Sequence, residues 1–145
     1  MVSLDIVIVN WNTARELMEC LASIAASDRS AFHLARVVVV DNASRDGFCL
    51  ELEAGQLPLT VVRNAENRGF AAACNQGAAG SKADYMLFLN PDTRLFPETL
   101  THTVAFLERP DSGDIGICGI RLVDAHESRG PSGHAGVGRS RRERL

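Results

Sequence analysis

The sequence predicts an α/β fold with a mostly parallel sheet. Short apolar runs rich in branched residues, typical of strands buried on both faces, alternate with segments of helical periodicity. This alternation is typical of strand–helix–strand units with right-handed crossovers. The 145 residues, of which 46% are hydrophobic and 23% charged, suffice for one globular domain and lie outside the composition of disordered chains.

Helix-boundary residues and periodicity set the order of the elements. Thr13 and Glu16 form a capping-box pattern, which predicts a helix directly after the first strand. Pro97 favours the first turn of a later helix, and Pro110 stops it. In chain order we predict strand 4–10, helix 13–27, strand 36–41, a short helix near 46–55, strand 59–63, helix 69–80, strand 84–89, a helix from 97 to before 110, and strand 115–123.

Composition and charge exclude several classes of protein. No apolar run approaches the roughly 20 residues of a membrane-spanning helix. The N-terminus has no basic region and carries Asp5 inside its apolar stretch, unlike a secretory signal. Residues 1–126 hold 10 basic and 16 acidic side chains, which argues against a surface that follows nucleic-acid phosphates. We therefore expect a cytoplasmic protein without a transmembrane segment. We also expect that it does not bind nucleic acid.

The cysteines and the C-terminal segment carry no clear chemistry. Cys20, Cys49, Cys74 and Cys118 include no C-x-x-C pair, so we expect reduced thiols and no zinc site. Residues 127–145 contain four glycines, one proline and five arginines, with only two large apolar residues. We therefore expect an incomplete domain over 1–126, followed by a disordered Gly/Arg-rich tail.

Polar side chains follow each of the first four predicted strands. In an open parallel sheet the carboxyl ends of the strands share one edge, where the ligand crevice lies. Asparagine and aspartate also favour turns and caps, so each residue taken alone has a structural explanation. The set comprises Asn10, Trp11, Asn12, Asp41, Asn42, Asn64, Asn67, Arg68, Gly69, Asn90 and Asp92.

A nucleotide is the ligand that best fits this set. Neither a P-loop nor a G-x-G-x-x-G motif is present, which removes the main support for an ATPase or an NAD-dependent enzyme. Asp41 could accept a hydrogen bond from a base or a ribose, and Arg68 could neutralise or stack. Asp92 could hold a divalent cation against a diphosphate. The alternatives are packing for Trp11 and a turn or cap role for Asp92.

Four motifs in this order resemble the N-terminal half of a family 2 glycosyltransferase with the GT-A fold, especially the rhamnosyltransferase-like members. They are IVIVNWNT at 6–13, VVVVDNASRDG at 37–47, NAENRGFAAACNQGAAGSKADYMLFLNPDT at 64–93 and GICGIRLVDA at 116–125. The resemblance implies a Rossmann-like, three-layer fold, truncated at the C-terminus. It also implies transfer of a sugar from a nucleoside-diphosphate donor to an acceptor hydroxyl, with inversion.

The resemblance also assigns residues to the donor site. It places the nucleotide against Asn10 to Asn12, Asp41, Asn42 and Arg68, with Gly69, Asn75 and Asn90 adjoining the donor. Asn90-Pro91-Asp92 stands where the family carries its Asp-x-Asp metal motif, which implies Mg²⁺ or Mn²⁺ on Asp92. Asn90 departs from that motif, and a neutral amide oxygen is a weaker ligand than a carboxylate.

No catalytic base is assigned, because the family contributes its carboxylate base after the region matched here. A frameshift or a truncated gene would produce the abrupt change near residue 126. The resemblance favours dTDP-rhamnose as donor, with UDP- and GDP-sugars left open, and a glycan or glycolipid of the cell surface as acceptor. Peripheral association with the inner face of the membrane is also left open. The alternatives are a nucleotide-sugar-binding module without catalysis and a sugar-phosphate nucleotidyltransferase, although the latter's Gly-rich basic loop is absent.

Overall fold

The computed structural model describes residues 1–46 and 57–123 and confirms the α/β class. The predicted helix near 46–55 and the tail at 127–145 fall on residues outside this description, apart from residue 46. The described elements are β1 (Val2–Asn10), α1 (Ala14–Ala25), β2 (Phe32–Asp41), β3 (Leu59–Arg63), α2 (Phe70–Ala78), β4 (Tyr85–Leu89), α3 (Thr99–Leu107) and a short 3₁₀ helix at Pro110–Ser112.

The four strands form one parallel sheet in the order β3-β2-β1-β4. Chain order runs outward from β1 through β2 to β3 and then crosses to β4 on the other side of β1. In open parallel sheets a crevice forms beside such a reversal, at the carboxyl ends of the strands. At this edge Asn10 pairs in register with Asp41, and Asp41 pairs with Arg63.

The core lies around the two central strands. Residues 4–10 of β1 and 37–41 of β2 are buried, as expected for strands covered on both faces. Helix α1 contributes buried residues spaced three and four positions apart. This spacing places them on one face, as in an amphipathic helix that packs on a core. These residues are Leu17, Cys20, Leu21 and Ile24.

Helix α2 packs very closely on the sheet, and Gly77 makes this approach fit. A Cβ atom on Gly77 would lie 2.4 Å from Val7 Cγ1 and 3.1 Å from Val40 Cγ2. Glycine lowers helix propensity, so its presence inside α2 calls for a structural reason. The structure gives the reason for it, because only a hydrogen at this position lets the helix backbone reach the valines of β1 and β2.

The predicted capping box at the start of α1 is wrong. Thr13 makes no side-chain hydrogen bond to the helix backbone. Its hydroxyl instead donates to Asn10 Oδ1 at 2.8 Å, because the buried Asn10 amide needs a donor. The Ala14 N–H donates to Asp46 Oδ2 at 2.9 Å, so a distant carboxylate satisfies the first turn and matches the helix dipole.

The predicted strand at 115–123 is also wrong. These residues are described, but they form no strand and pair with none of β1 to β4. Ile117 is 83% exposed and Leu122 is 75% exposed. An apolar run adopts strand structure only where a neighbouring strand accepts its hydrogen bonds, and no described strand does so here.

The chain divides into two compact units, Met1–His102 and Thr103–Leu145. The first contains the whole sheet with α1 and α2. In the described part of the second, the buried Ser112 hydroxyl donates to the Phe106 carbonyl at 2.8 Å, which ties the 3₁₀ helix to the end of α3. Among the described residues, no helix has both the length and the apolar character needed to cross a membrane.

An ion pair between a buried carboxylate and a partly exposed arginine joins β1 and β2. Asp5 is 1% exposed, and its Oδ2 accepts hydrogen bonds from Arg36 Nε at 2.8 Å, Arg36 Nη2 at 2.6 Å and Ser81 Oγ at 2.7 Å. The register of the two strands shifts at Leu4/Asp5. The pair therefore links β1, β2 and the segment after α2 at one point.

Gly77→Ala should lower the free energy of unfolding by about 1–3 kcal/mol, because the added methyl group overpacks the contact with Val7. Urea unfolding measures the change. In a double-mutant cycle with Val7→Ala, the double variant should lose less unfolding free energy than the sum of the losses in the two single variants. A Gly77→Ala protein as stable as the parent would contradict the close approach of α2.

Arg36→Met should destabilise the fold by about 3 kcal/mol, because it leaves the buried Asp5 carboxylate without its cation. Arg15 offers a matched control: its side chain is 88% exposed and pairs with Glu19 at 3.7 Å on the helix surface. Arg15→Met should change stability by about 0.5 kcal/mol or less. Equal losses in the two variants, again measured by urea unfolding, would refute the structural role of the Asp5–Arg36 pair.

Candidate functional site

The carboxyl ends of β1 and β2 meet through two buried polar side chains. Asn10 Nδ2 donates to Asp41 Oδ1 at 3.2 Å and to Ser44 Oγ at 3.0 Å, while Asn10 Oδ1 accepts from Thr13. Asn10 is fully buried and Asp41 is 9% exposed. This arrangement fixes the Asp41 carboxylate and leaves its Oδ2 without a donor among the described residues.

The loops after β1 and β2 bind each other and form what we call the first wall: Trp11, Asn12 and residues 43–45. The Asn12 N–H donates to Ser44 Oγ at 3.0 Å, and the Arg45 N–H donates to Asn12 Oδ1 at 2.7 Å. One serine hydroxyl therefore accepts hydrogen bonds from both Asn10 and Asn12, which holds the two loops at a fixed separation.

Two residues of the first wall adopt left-handed backbone conformations. Asn12 has φ 55°, which asparagine tolerates, and Ala43 has φ 65°, which costs a residue with a Cβ about 1 kcal/mol. Such strain persists only where surrounding contacts hold it, and it concentrates at ligand sites. Here Ser44 and Arg45, which directly follow the strained alanine, are both hydrogen-bonded to Asn12, and these contacts supply that restraint.

The loop between β3 and α2 forms the second wall, residues 64–67. Asn42, the residue after β2, lies beneath this wall and is 2% exposed. Its Nδ2 donates to Asn67 Oδ1 at 2.7 Å, and its Oδ1 accepts from Asn64 Nδ2 at 3.1 Å and from the Arg68 N–H at 3.0 Å. A single amide thus holds three points of this loop.

The second wall leads directly into α2. Asn67 Oδ1 also accepts the Gly69 N–H at 2.9 Å, and Gln76 Nε2, one turn into the helix, donates to Asn64 Oδ1 at 2.9 Å. Gly69 has φ 80° and ψ 160°, a conformation that glycine adopts without strain. Arg68 consequently stands, exposed, at the positive end of the helix dipole.

An open cavity of about 670 Å³ lies between the two walls, within the size range of small-molecule sites. Trp11 is 56% exposed at its edge, where an aromatic face is available for stacking. The side chains of Arg45 and Glu66 form no ion pair with other described residues. The cavity is lined by Trp11, Asn12, Ala43, Ser44, Arg45, Asn64, Ala65, Glu66 and Asn67.

Asn90 and Asp92 follow β4, at the same sheet edge but on the other side of β1. Both are exposed, and beneath them the Cys20 thiol donates to the Asn90 carbonyl at 3.8 Å. Burial, together with a smaller effect of the negative charge of Asp92, raises the pKa of Cys20 to about 12. Cys20 is therefore a neutral thiol below this turn, and with Cys74 and Cys118 it is a free cysteine.

The donor set at this turn fits a divalent cation only in part. Asp92 offers a carboxylate and Asn90 an amide oxygen, both of them oxygen ligands that Mg²⁺ and Mn²⁺ accept. Within residues 1–46 and 57–123, no group of three His, Cys, Asp or Glu side chains could hold a metal ion. A cation here would need further oxygens from a ligand and from water, as Mg²⁺ commonly does when it binds phosphates.

The structure separates the predicted site residues into groups. Asn10, Trp11, Asn12 and Asp41 belong to the first wall or its support. Asn42, Arg68 and Gly69 belong to the second wall or its support, and Asn90 and Asp92 stand apart on β4. Asn75 is exposed on α2, and among the described residues no hydrogen bond joins it to either wall.

Sequence reasoning missed several residues at the site. Ser44 follows Asp41 in the same polar turn, so its position was a usable signal. Gln76 reaches Asn64 only through the packing of α2 on the sheet, which no local pattern indicates. Arg45 and Glu66 were missed because charged residues in loops are normally solvated, and only the cavity between the walls distinguishes them.

Known proteins resemble this chain in both sequence and fold. Residues 5–143 match the family Glycosyl transferase family 2. An uncharacterized glycosyltransferase of Haemophilus influenzae is 32% identical over 106 residues, which cover 73% of this chain and 35% of that protein. An N-acetylglucosaminyltransferase of Bradyrhizobium elkanii is 32% identical over 116 residues, covering 77% of this chain and 63% of that protein.

Two solved structures resemble the fold at a TM-score of 0.64 each. S. aureus TarS 1-349 in complex with UDP-GlcNAc is 26% identical, and the match covers 73% of this chain and 31% of that one. The mannosyltransferase PcManGT of Pyrobaculum calidifontis, in complex with GDP-Man and Mn2+, is 28% identical, with 74% and 32% covered. The chain thus spans about a third of these structures. The architecture is that of GT-A glycosyltransferases, and because the family match covers nearly its whole length, the chain belongs to glycosyl transferase family 2.

Proposed function

We propose that this chain forms the donor-binding part of an enzyme that transfers a sugar from a nucleoside diphosphate to an acceptor hydroxyl. The observation that carries the proposal is the cavity between two hydrogen-bonded walls at the carboxyl edge of the sheet. Structural neighbours that contain UDP-GlcNAc or GDP-Man support a nucleotide-sugar ligand. The proposed donor-binding domain comprises residues 1–126.

The nucleoside would occupy the cavity. Trp11 offers an aromatic face on which a base can stack. The Oδ2 of Asp41, which has no donor among the described residues, can accept a hydrogen bond from a base N–H or a ribose hydroxyl, and the Asn10 amide keeps the carboxylate oriented. Trp11 of the first wall and Asp41 beside it therefore supply an apolar surface and a fixed acceptor, the combination that small-molecule sites commonly use.

The diphosphate would lie towards Arg68 and the edge of β4. The exposed Arg68 guanidinium and the N-terminus of α2 both favour negative charge. Asp92 and Asn90 would hold a divalent cation, which would offset the charge that develops on the departing nucleoside diphosphate. The Mn2+ in the Pyrobaculum mannosyltransferase structure supports this role for a metal.

The proposed chemistry is an inverting transfer in cell-surface glycan synthesis, with a glycan or glycolipid as acceptor. The rhamnosyl-type pattern of the sequence motifs makes dTDP-rhamnose the first donor to test, ahead of UDP- and GDP-sugars. We assign no general base among residues 1–46 and 57–123. Deprotonation of the acceptor, typically worth about 10² to 10⁴-fold, is therefore not attributed to any of them.

A second candidate function is nucleotide-sugar binding without catalysis. The cavity and Asp41 need no base to hold a ligand, and no general base is assigned among the described residues. Incubation with each nucleotide sugar and an acceptor glycan separates the two functions. Release of nucleoside diphosphate only when acceptor is present would favour transfer, whereas binding with no release would favour the binding module.

Asp92→Ala and Asp41→Ala should weaken nucleotide binding in different ways. The measurement is a thermal melt with UDP, dTDP or GDP, each with and without Mn²⁺. A ligand at about 100 times its Kd adds about 2.7 kcal/mol, which raises the midpoint by several degrees. Asp92→Ala should remove only the extra rise due to metal, whereas Asp41→Ala should reduce the rise in both conditions.

Asp114→Ala provides the control, because it removes an exposed carboxylate outside the site and should leave every shift unchanged. The nucleotide that gives the largest shift in the parent protein identifies the carrier of the donor. Full midpoint shifts in both Asp92→Ala and Asp41→Ala would overturn the site assignment.

A further inference from the structure

We propose that Asn42 is a positioning residue for the donor diphosphate. On this account it does not contact the ligand, but fixes the backbone from which Arg68 reaches the phosphates. The inference rests on the proposed function and goes beyond it. It holds that a buried residue, which does not line the cavity, increases the affinity for the ligand. Three features of its surroundings support it.

The first feature is that the Asn42 amide is committed inside the protein. The side chain is 2% exposed, and its Oδ1 already accepts two hydrogen bonds, from Asn64 Nδ2 and the Arg68 N–H. An amide oxygen has two lone pairs, so this acceptor has no capacity left for a ligand. The backbone is anchored as well, because the Asn42 N–H donates to the Asn10 carbonyl at 2.8 Å.

The second feature is that every side-chain partner of Asn42 belongs to the loop between β3 and α2. Residues 65–69 of this loop are exposed, so packing contributes little to its shape. The loop is instead held from below by the Asn42 amide, and at its start by the hydrogen bond from the Asn64 N–H to the Asp41 carbonyl at 2.9 Å. A rigid strand end thus determines where an exposed loop lies.

The third feature is the match between the amide and its partners. Asn67 Oδ1 accepts from both Asn42 Nδ2 and the Gly69 N–H, so it needs a donor from below. An aspartate at position 42 would keep the two acceptor contacts but would present an oxygen to the Asn67 oxygen. Asn42→Asp is therefore nearly isosteric, but it both removes the donor to Asn67 and adds a negative charge near Arg68. Repulsion of the diphosphate by that charge would persist in an Arg68→Gln background, whereas loss of the positioning of Arg68 would not.

The consequence concerns the cost of ordering Arg68. An arginine on a fixed backbone loses less conformational freedom when it binds an anion than one on a mobile loop. The contribution of Asn42 to binding affinity should therefore appear only with ligands that carry the diphosphate. The base and ribose contact the first wall, which Asn10 and Asp41 hold independently of Asn42.

Trp11 provides the readout, because it is the single tryptophan of the chain and lines the cavity. Its fluorescence is titrated without metal using three pairs of probes: uridine and UDP, thymidine and dTDP, and guanosine and GDP. For the base that binds best, the ratio of nucleoside Kd to nucleoside-diphosphate Kd measures the phosphate contribution alone. A general loss of structure would weaken both ligands and leave this ratio unchanged.

Asn42→Asp should weaken the diphosphate by about fivefold or more, the factor that corresponds to one lost hydrogen bond, and should change nucleoside affinity by less than about twofold. Arg68→Gln should produce the same selective loss, and Asn42→Asp should add nothing in that background. Val62→Ala is the stability control, because Val62 lies in β3 and packs against the buried apolar cluster of Val9, Val38, Val40 and Ala73. It should leave the ratio unchanged.

Several outcomes would overturn the inference. It fails if Asn42→Asp leaves the ratio intact, or if its effect persists in full without Arg68. If Asn42→Asp does not fold, Asn67→Ala replaces it, since this exposed residue holds the Gly69 N–H, and an unchanged ratio there contradicts the inference equally. If no nucleotide changes the fluorescence of the parent protein, the proposed function fails and the inference with it.

Discussion

The carboxyl end of β2 places two consecutive polar residues, Asp41 and Asn42, in the interior of the protein, and the rest of the site depends on how they are satisfied. A buried polar group without a hydrogen-bond partner costs about 1–3 kcal/mol. Asp41 finds its partner on β1, through Asn10, and Asn42 finds its partners in the loop before α2. The first wall and the second wall are therefore fixed by two adjacent residues, the last of β2 and the one that follows it.

This arrangement explains why the cavity lies where it does. The loops that form it are largely exposed and have little apolar packing of their own. Their hydrogen bonds run inward to the strand ends, so the parallel sheet, with its buried valines and its close contact with Gly77, supplies the rigid part of the site. Strain at Ala43 is held by the same contacts. Sheet stability and site geometry are thus coupled at Asp41 and Asn42.

Much of the fold was predictable from the sequence because its strands are buried on both faces. The run at 59–63 predicted β3 with its observed bounds, and the polar strand ends lie at the sheet edge where the cavity is found. Patterns failed where a distant partner competes with a local one. Thr13 matches a capping box, yet the buried Asn10 amide takes its hydroxyl.

The same limit applies to the rest of the site. The link from Gln76 to Asn64 depends on how α2 sits on the sheet, and the role of Ser44 depends on two loops meeting. The apolar run at 115–123 has the composition of a strand but no strand beside it among the described residues. The composition of a segment indicates which secondary structure it can adopt, and its neighbours in the fold determine whether it adopts that structure.

The measurement that tests this account most directly is a crystal structure of the chain with the preferred nucleoside diphosphate and Mn²⁺. The account predicts the base against Trp11 between the two walls, the diphosphate near Arg68, and Mn²⁺ on Asp92. It also predicts that Asn42 keeps its hydrogen bonds to Asn67 and to the Arg68 N–H and does not touch the ligand. A nucleotide bound away from the carboxyl edge of the sheet would contradict the account.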